Sequence, residues 1–167
     1  MKRSFEAIQN KIQDWETAKA TVYNWQKNGQ KTVFTNGCFD ILHYGHLHYL
    51  AEAADLGDKL IIGLNSKASV SRLKGEHRPI NDDLTRQSML ASLGFVALVV
   101  EFEEDTPFEL ISLLQPDILV KGGDYQPNQI VGADVVLAKD GEVLSLPFVE
   151  GYSTTNIETK IKGFYIL

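Results

Sequence analysis

Apolar positions divide the chain into two regimes. From Ser4 to about Asn28 they fall at helical spacing: Phe5, Ile8, Ile12 and Trp15, then Ala18, Val22 and Trp25. Asn28-Gly29 is a helix stop. Residues 1–30 are therefore expected to form one or two helices, an appendage to a domain spanning 31–167. From Lys31 the period shortens. Residues 31–35 and 59–64 are apolar runs of strand length, and 96–100 and 117–120 read the same way. Residues 135–138 and 143–147 read as weaker strands around a Lys139-Asp140-Gly141 turn, a short connection or hairpin. Helical patterns at 44–56, 83–93 and 107–115 lie between strands. A closing helix is predicted over 153–162, capped by Ser153 or Thr154. Strands alternating with helices predict an α/β fold with a central parallel sheet flanked by helices.

Composition narrows the class. The 167 residues carry 16 Lys+Arg against 22 Asp+Glu, a net charge of −6, with 44% hydrophobic and 23% charged residues. These values suit one globular domain and exclude disorder. No run of about 18 apolar residues marks a membrane span, and the charged start lacks the apolar core of a secretory signal. A single cysteine, Cys38, cannot make an internal disulfide, so a reducing cytoplasm is the expected compartment. The acidic balance argues against a nucleic-acid partner. Charge is uneven, however. Residues 65–86 hold Lys67, Arg72, Lys74, Arg78 and Arg86, whereas 87–115 hold five acids and no base. The first stretch reads as a basic loop suited to phosphate.

The chemistry concentrates in residues 35–49, T-N-G-C-F-D-I-L-H-Y-G-H-L-H-Y. A strand ends near Thr35, Asn36-Gly37 turns the chain, and His43-x-Gly45-His46 stands where a helix begins. Free backbone N–H groups and the macrodipole at such a start attract phosphate. Gly45, without a Cβ, lets a ligand approach the backbone, and two imidazoles beside it can donate to phosphate oxygens. Three readings compete. A metal site from His43, His46 and His48 lacks a completing carboxylate or cysteine. The histidines could instead be satisfied structural groups. Phosphate handling by His43 and His46, with His48 structural, suits the placement best. Cys38 reads as a small, largely buried side chain in preference to a nucleophile paired with His43. Asp40 reads as holding the turn in preference to a metal. No P-loop, dinucleotide G-x-G-x-x-G or G-x-S-x-G elbow occurs.

The run T-x-G-x-F-D-x-L-H-x-G-H over 35–46 resembles the signature of the nucleotidyltransferase superfamily that contains cytidylyltransferases and phosphopantetheine adenylyltransferase. Residues 72–81 (RLKGEHRPIN), 102–107 (FEEDTP), 120–125 (VKGGDY) and 151–157 (GYSTTNI) bring the chain close to the adenylyltransferase domains of bifunctional ADP-heptose synthases. The resemblance covers about 31–161. It implies a Rossmann-like nucleotidyltransferase fold and a reaction of ATP with D-glycero-β-D-manno-heptose 1-phosphate, giving ADP-heptose and pyrophosphate for lipopolysaccharide precursor synthesis. It also implies roles. His43, His46 and Lys74 would be catalytic. Asn36, Gly37, Cys38, Phe39, Asp40 and Gly45 would surround the nucleotide, with Lys121, Gly122, Asp124, Ser153, Thr154 and Thr155. Arg78 and Arg86 would meet substrate phosphate. Mg2+ would be held mainly by ATP phosphates and water, with no protein metal ligand.

Two departures stand out. The kinase domain of the bifunctional proteins does not occur in these residues, so a separate sugar kinase acting upstream is expected. Glu158 stands where many members carry Arg, and Lys160 is the nearest base. The apolar end, 163–167, is expected to pack on the N-terminal helix or in a homodimer interface. Two other functions stay open at this point: a cytidylyltransferase for glycerol 3-phosphate or a similar alcohol phosphate, and a nucleotide-binding regulator without turnover.

Overall fold

The computed structural model describes residues 3–164. Of the apolar C-terminal run, residues 165–167 lie outside the described residues, so its expected packing is not addressed. Five strands form one sheet: β1 (Thr32–Gly37), β2 (Lys59–Asn65), β3 (Val96–Phe102), β4 (Ile118–Gly122) and β5 (Glu142–Leu146). Their order is β3-β2-β1-β4-β5, and every pairing is parallel. The helices are α1 (Arg3–Gln9), α2 (Trp15–Lys27), α3 (Tyr44–Ala54), α4 (Lys67–Lys74), α5 (Asp83–Ser92), α6 (Phe108–Leu114), α7 (Ala133–Leu137) and α8 (Thr154–Phe164). The expected α/β architecture is present.

A parallel sheet needs both faces covered, which is why its strands are nearly continuous apolar runs. Alternation along each strand feeds two cores. Phe34, Ile61, Leu98, Val100 and Leu119 pack with α2, α6 and α7. Val33, Leu60, Ile62, Leu64, Val99 and Val120 pack with Tyr49, Leu50 and Ala53 of α3 and Leu90 of α5.

The N-terminal segment is built into this packing. The Asp14 carboxylate caps α2 by accepting from Thr17 N at 2.8 Å. Ala18 and Val22 are fully buried against the sheet. Ile12 makes a parallel bridge to Val99, and Trp15 Nε1 donates to Glu101 O at 2.8 Å. Trp25 packs on the same core, with Lys59 Nζ 5.5 Å from its ring centroid.

Two local expectations are corrected. Residues 135–138 are not a strand; most of them lie in α7. β4 and β5 pair in parallel, so a hairpin cannot join them, and the crossover between them carries α7. Val136 is fully buried there, and the β-branched pair Val135-Val136 imitates a strand. The basic stretch 65–86 is also not a loop throughout. Ser66 Oγ accepts from Ser69 N at 3.2 Å and starts α4, which buries Ser69 and Val70 and ends at Gly75.

Candidate active site

Strand order reverses direction at β1. The chain goes from β1 to β2 and β3 on one side, then crosses back to β4 and β5 on the other. In open α/β sheets ligands bind at the carboxyl ends of the strands flanking such a switch point. A cleft of about 770 Å³ lies there. It is bordered by Asn36 and Gly37 from β1, Lys121 and Gly122 from β4, Asn65 from β2, Lys74 from the end of α4, and Thr154 and Thr155 from the start of α8. A smaller cavity of about 360 Å³ adjoins it, sharing His46, Tyr49, Lys74, Phe148 and Thr154, and adding His43, Gly45, Tyr152 and Ser153.

The β1–α3 turn is held from several sides. Phe39 adopts φ +42°, a conformation an aromatic residue keeps only where its surroundings enforce it. Arg86 Nη1 donates to Cys38 O at 2.8 Å and to Asn65 O at 2.7 Å, and its other terminal nitrogen meets the Asp83 carboxylate. The Asp40 carboxylate is buried and accepts from Ile80 N, Asn81 N and Arg78 Nε at 2.7–2.9 Å. Asn81 Nδ2 returns a bond to Asp40 O at 2.5 Å. Asp40 thus ties the 78–81 loop to the turn, and its oxygens are occupied in doing so.

His43 caps α3. Its Nδ1 accepts from His46 N at 3.3 Å, which leaves the proton of the neutral ring on Nε2 as a donor. The two imidazoles stack with centroids 3.8 Å apart. Burial lowers the pKa of His43. Burial, and then the neighbouring His43, bring His46 down to about 4, so at neutral pH it is uncharged. His46 Nδ1 is buried with no partner among the described residues. A Cβ on Gly45 would lie 3.1 Å from Tyr152 Cβ and 3.2 Å from the His43 ring, so any other residue would have to push these neighbours back by a few tenths of an ångström.

Positive charge converges on the turn. Lys121 Nζ lies 3.3 Å from Asn36 Oδ1; burial lowers its pKa, and nearby Lys74 adds to that effect. Burial raises the Cys38 thiol although Lys74, Arg86 and Lys121 all oppose it. A protonated thiol is a poor nucleophile.

The remaining expected residues divide. Thr154 and Thr155 reach the main cleft. Ser153 lines the smaller cavity and caps α8, its Oγ accepting from Asn156 N at 3.1 Å. Arg78 lines the cleft between two carboxylates, Asp40 and Glu158. Two expectations are corrected. Arg86 does not meet the cleft: it is fully buried, with Nη1 on the carbonyls of Cys38 and Asn65 and Nη2 on Asp83, while Nε has no partner among the described residues. Asp124 is exposed and is not among the lining residues.

The cleft also contains residues that the sequence reading passed over. Asn65 stands at the carboxyl end of β2, so the strand-end rule could have found it. Phe148 closes over the β4 glycines: a Cβ on Gly122 would lie 2.7 Å from its ring. Gln129 and Ile130 follow β4 and carry no motif.

A family model described as cytidylyltransferase-like matches residues 34–160, and the chain belongs to that family. It is a nucleotidyltransferase enzyme. Among curated relatives it is similar to the "Bifunctional protein HldE" of Marinomonas sp. (strain MWYL1), 59% identical over 135 residues, 81% of this chain and 28% of the relative. A protein of the same name from Magnetococcus marinus is 51% identical over 154 residues, 92% of this chain and 32% of the relative. The chain thus spans roughly a third of the length of these relatives. Among solved structures, a lipopolysaccharide core biosynthesis protein from Thermoplasma volcanium matches with a TM-score of 0.60 and 27% identity, covering 75% of this chain and all of that one. A pantothenate synthetase from Thermus thermophilus shares the fold at a TM-score of 0.62 and 17% identity, covering 91% of this chain and 70% of that one. No helix among the described residues is long and apolar enough to cross a membrane.

Proposed function

We propose that the cleft joins ATP to D-glycero-β-D-manno-heptose 1-phosphate, releasing pyrophosphate and forming ADP-heptose. The carrying observation is the convergence of two helix starts, α3 with His43 and His46 and α8 with Thr154 and Thr155, on a cleft that also receives Lys74 and Lys121. The motif resemblance to ADP-heptose synthases and the identity to the HldE proteins favour the heptose substrate over an alcohol phosphate.

In this reading a phosphate oxygen of the sugar phosphate attacks the ATP α-phosphorus. The bond to the bridging oxygen breaks, and pyrophosphate leaves. A phosphate monoester has a second pKa of about 6, so the nucleophile is already ionised and needs no general base. Catalysis is then positioning and charge stabilisation. His43 offers Nε2–H. His46 borders the same cleft, and its ring donates an N–H to a phosphate oxygen, a contact that the incoming negative charge strengthens. Lys74 and Lys121 offset charge on the triphosphate. Mg2+ would travel on the ATP phosphates, since the Asp40 oxygens are taken by Arg78, Ile80 and Asn81.

Pyrophosphate release is the test. ATP and CTP are each paired with heptose 1-phosphate and with glycerol 3-phosphate. Release with ATP and heptose 1-phosphate alone is expected. Release with CTP and glycerol 3-phosphate overturns the assignment, and nucleotide binding with no release from any pair makes the chain a regulator.

A further inference from the structure

Arg78 is the one cleft-lining cation, among the described residues, that is clasped by two carboxylates. Nε donates to Asp40 at 2.7 Å and Nη1 meets Glu158. The carboxylates are not equivalent. Asp40 is held by the backbone N–H groups of Ile80 and Asn81 as well as by Arg78, and its side chain is 1% exposed. Glu158 is 26% exposed and lies on α8, a helix with no buried residue. Glu158 is not among the residues that line the cleft and reaches Arg78 from α8.

A phosphate group entering beside Arg78 therefore meets a guanidinium already neutralised, with a second carboxylate to repel it. If one partner yields, that charge is returned to the ligand. Asp40 cannot without unmaking the 78–81 loop, whereas Glu158 can withdraw by a side-chain rotation on a lightly packed helix. Building on the proposed function, we infer that Glu158 is an internal placeholder anion: it holds Arg78 at the cleft edge in the free enzyme and is displaced by a substrate phosphate. Glu158 is thus a positioning residue that acts through Arg78 and sets the affinity for the phosphate it gives way to.

The test measures binding of inorganic phosphate, ATP alone and heptose 1-phosphate alone to the wild-type chain, Glu158→Gln, Arg78→Gln and the double variant, by NMR titration. Glu76→Gln is the control: the same charge change, on an exposed residue two positions before Arg78. Glu158→Gln is expected to bind inorganic phosphate about threefold to tenfold tighter, the scale of a part-exposed ion pair. Glu76→Gln should change affinity little, and the gain should vanish in the Arg78→Gln background. A matching gain for ATP assigns the displaced contact to the triphosphate; a gain for heptose 1-phosphate assigns it to the acceptor. Unchanged or weaker phosphate binding in Glu158→Gln makes Glu158 a fixed tether of α8 and overturns the inference. That result leaves the proposed reaction standing wherever the wild-type chain still releases pyrophosphate from ATP and heptose 1-phosphate. Absence of phosphate binding to every variant also overturns it.

Discussion

Two helix starts face one cleft, and they are built differently. α3 buries Gly45, Tyr49, Leu50 and Ala53, and the turn before it is fastened by Arg86 and Asp40. α8 buries nothing and is held at its start by the Ser153 cap and by the Glu158 contact with Arg78. Binding energy needs groups that can reach a ligand, whereas acceleration needs groups that do not move when charge develops. The α3 side suits the reacting phosphate. The α8 side suits capture and release of the outer phosphates.

The comparison can be broken at four points. Arg86→Met leaves two carbonyls and Asp83 without their buried partner. It should lower unfolding stability by about 3 kcal/mol or more in a denaturant titration and abolish turnover with it. Full activity would show that the turn holds its shape unaided. His46→Ala should lower turnover by about two orders of magnitude or more in a folded protein, the scale of a lost transition-state donor. Near-normal turnover would move the chemistry away from α3. The third point is pH. His46 has an ordinary value of 6.5 and a folded value of about 4, so the unfolded chain takes up a proton that the folded one refuses. Its contribution to stability is present above 6.5 and is lost as pH falls from there through about 4. Urea midpoints measured across that window should drop less in His46→Gln than in the wild-type chain. The smallest effect is expected on the other side of the cleft. Ser153→Ala should cost α8 about 1 kcal/mol of helix stability. That cost should be visible as faster amide exchange within α8 and absent from the global melting temperature. A shift of the whole melting curve would show that α8 is as integral as α3.

Much of this was legible because it is local. The periods of 2 and 3.6 placed nearly every strand and helix, and glycine between two histidines after a strand located the α3 site. Val135 and Val136 give α7 the local chemistry of a strand; only the parallel pairing of β5 with β4, a relation across the sheet, excludes the hairpin. For Arg86 the sequence displays the charge and nothing of its partners. Its partner carbonyl on Cys38 lies 48 residues away, and carbonyls leave no mark in a sequence. Glu158 stands out in the sequence as a departure, while its partner Arg78 belongs to a different segment. Contacts of this kind decide which basic residues stay free for a ligand, so they separate the residues that line the cleft from those that brace it.

The docking of α2 has a practical consequence. The chain has two tryptophans, Trp15 and Trp25, and both ride on that helix, packed against the core on one face of the sheet. Neither borders the cleft. Intrinsic indole emission is thus a built-in gauge of one event, the seating of the N-terminal helix on the sheet. Monitored beside far-ultraviolet circular dichroism during denaturation, it would tell whether that helix peels away first or leaves together with the strands beneath it.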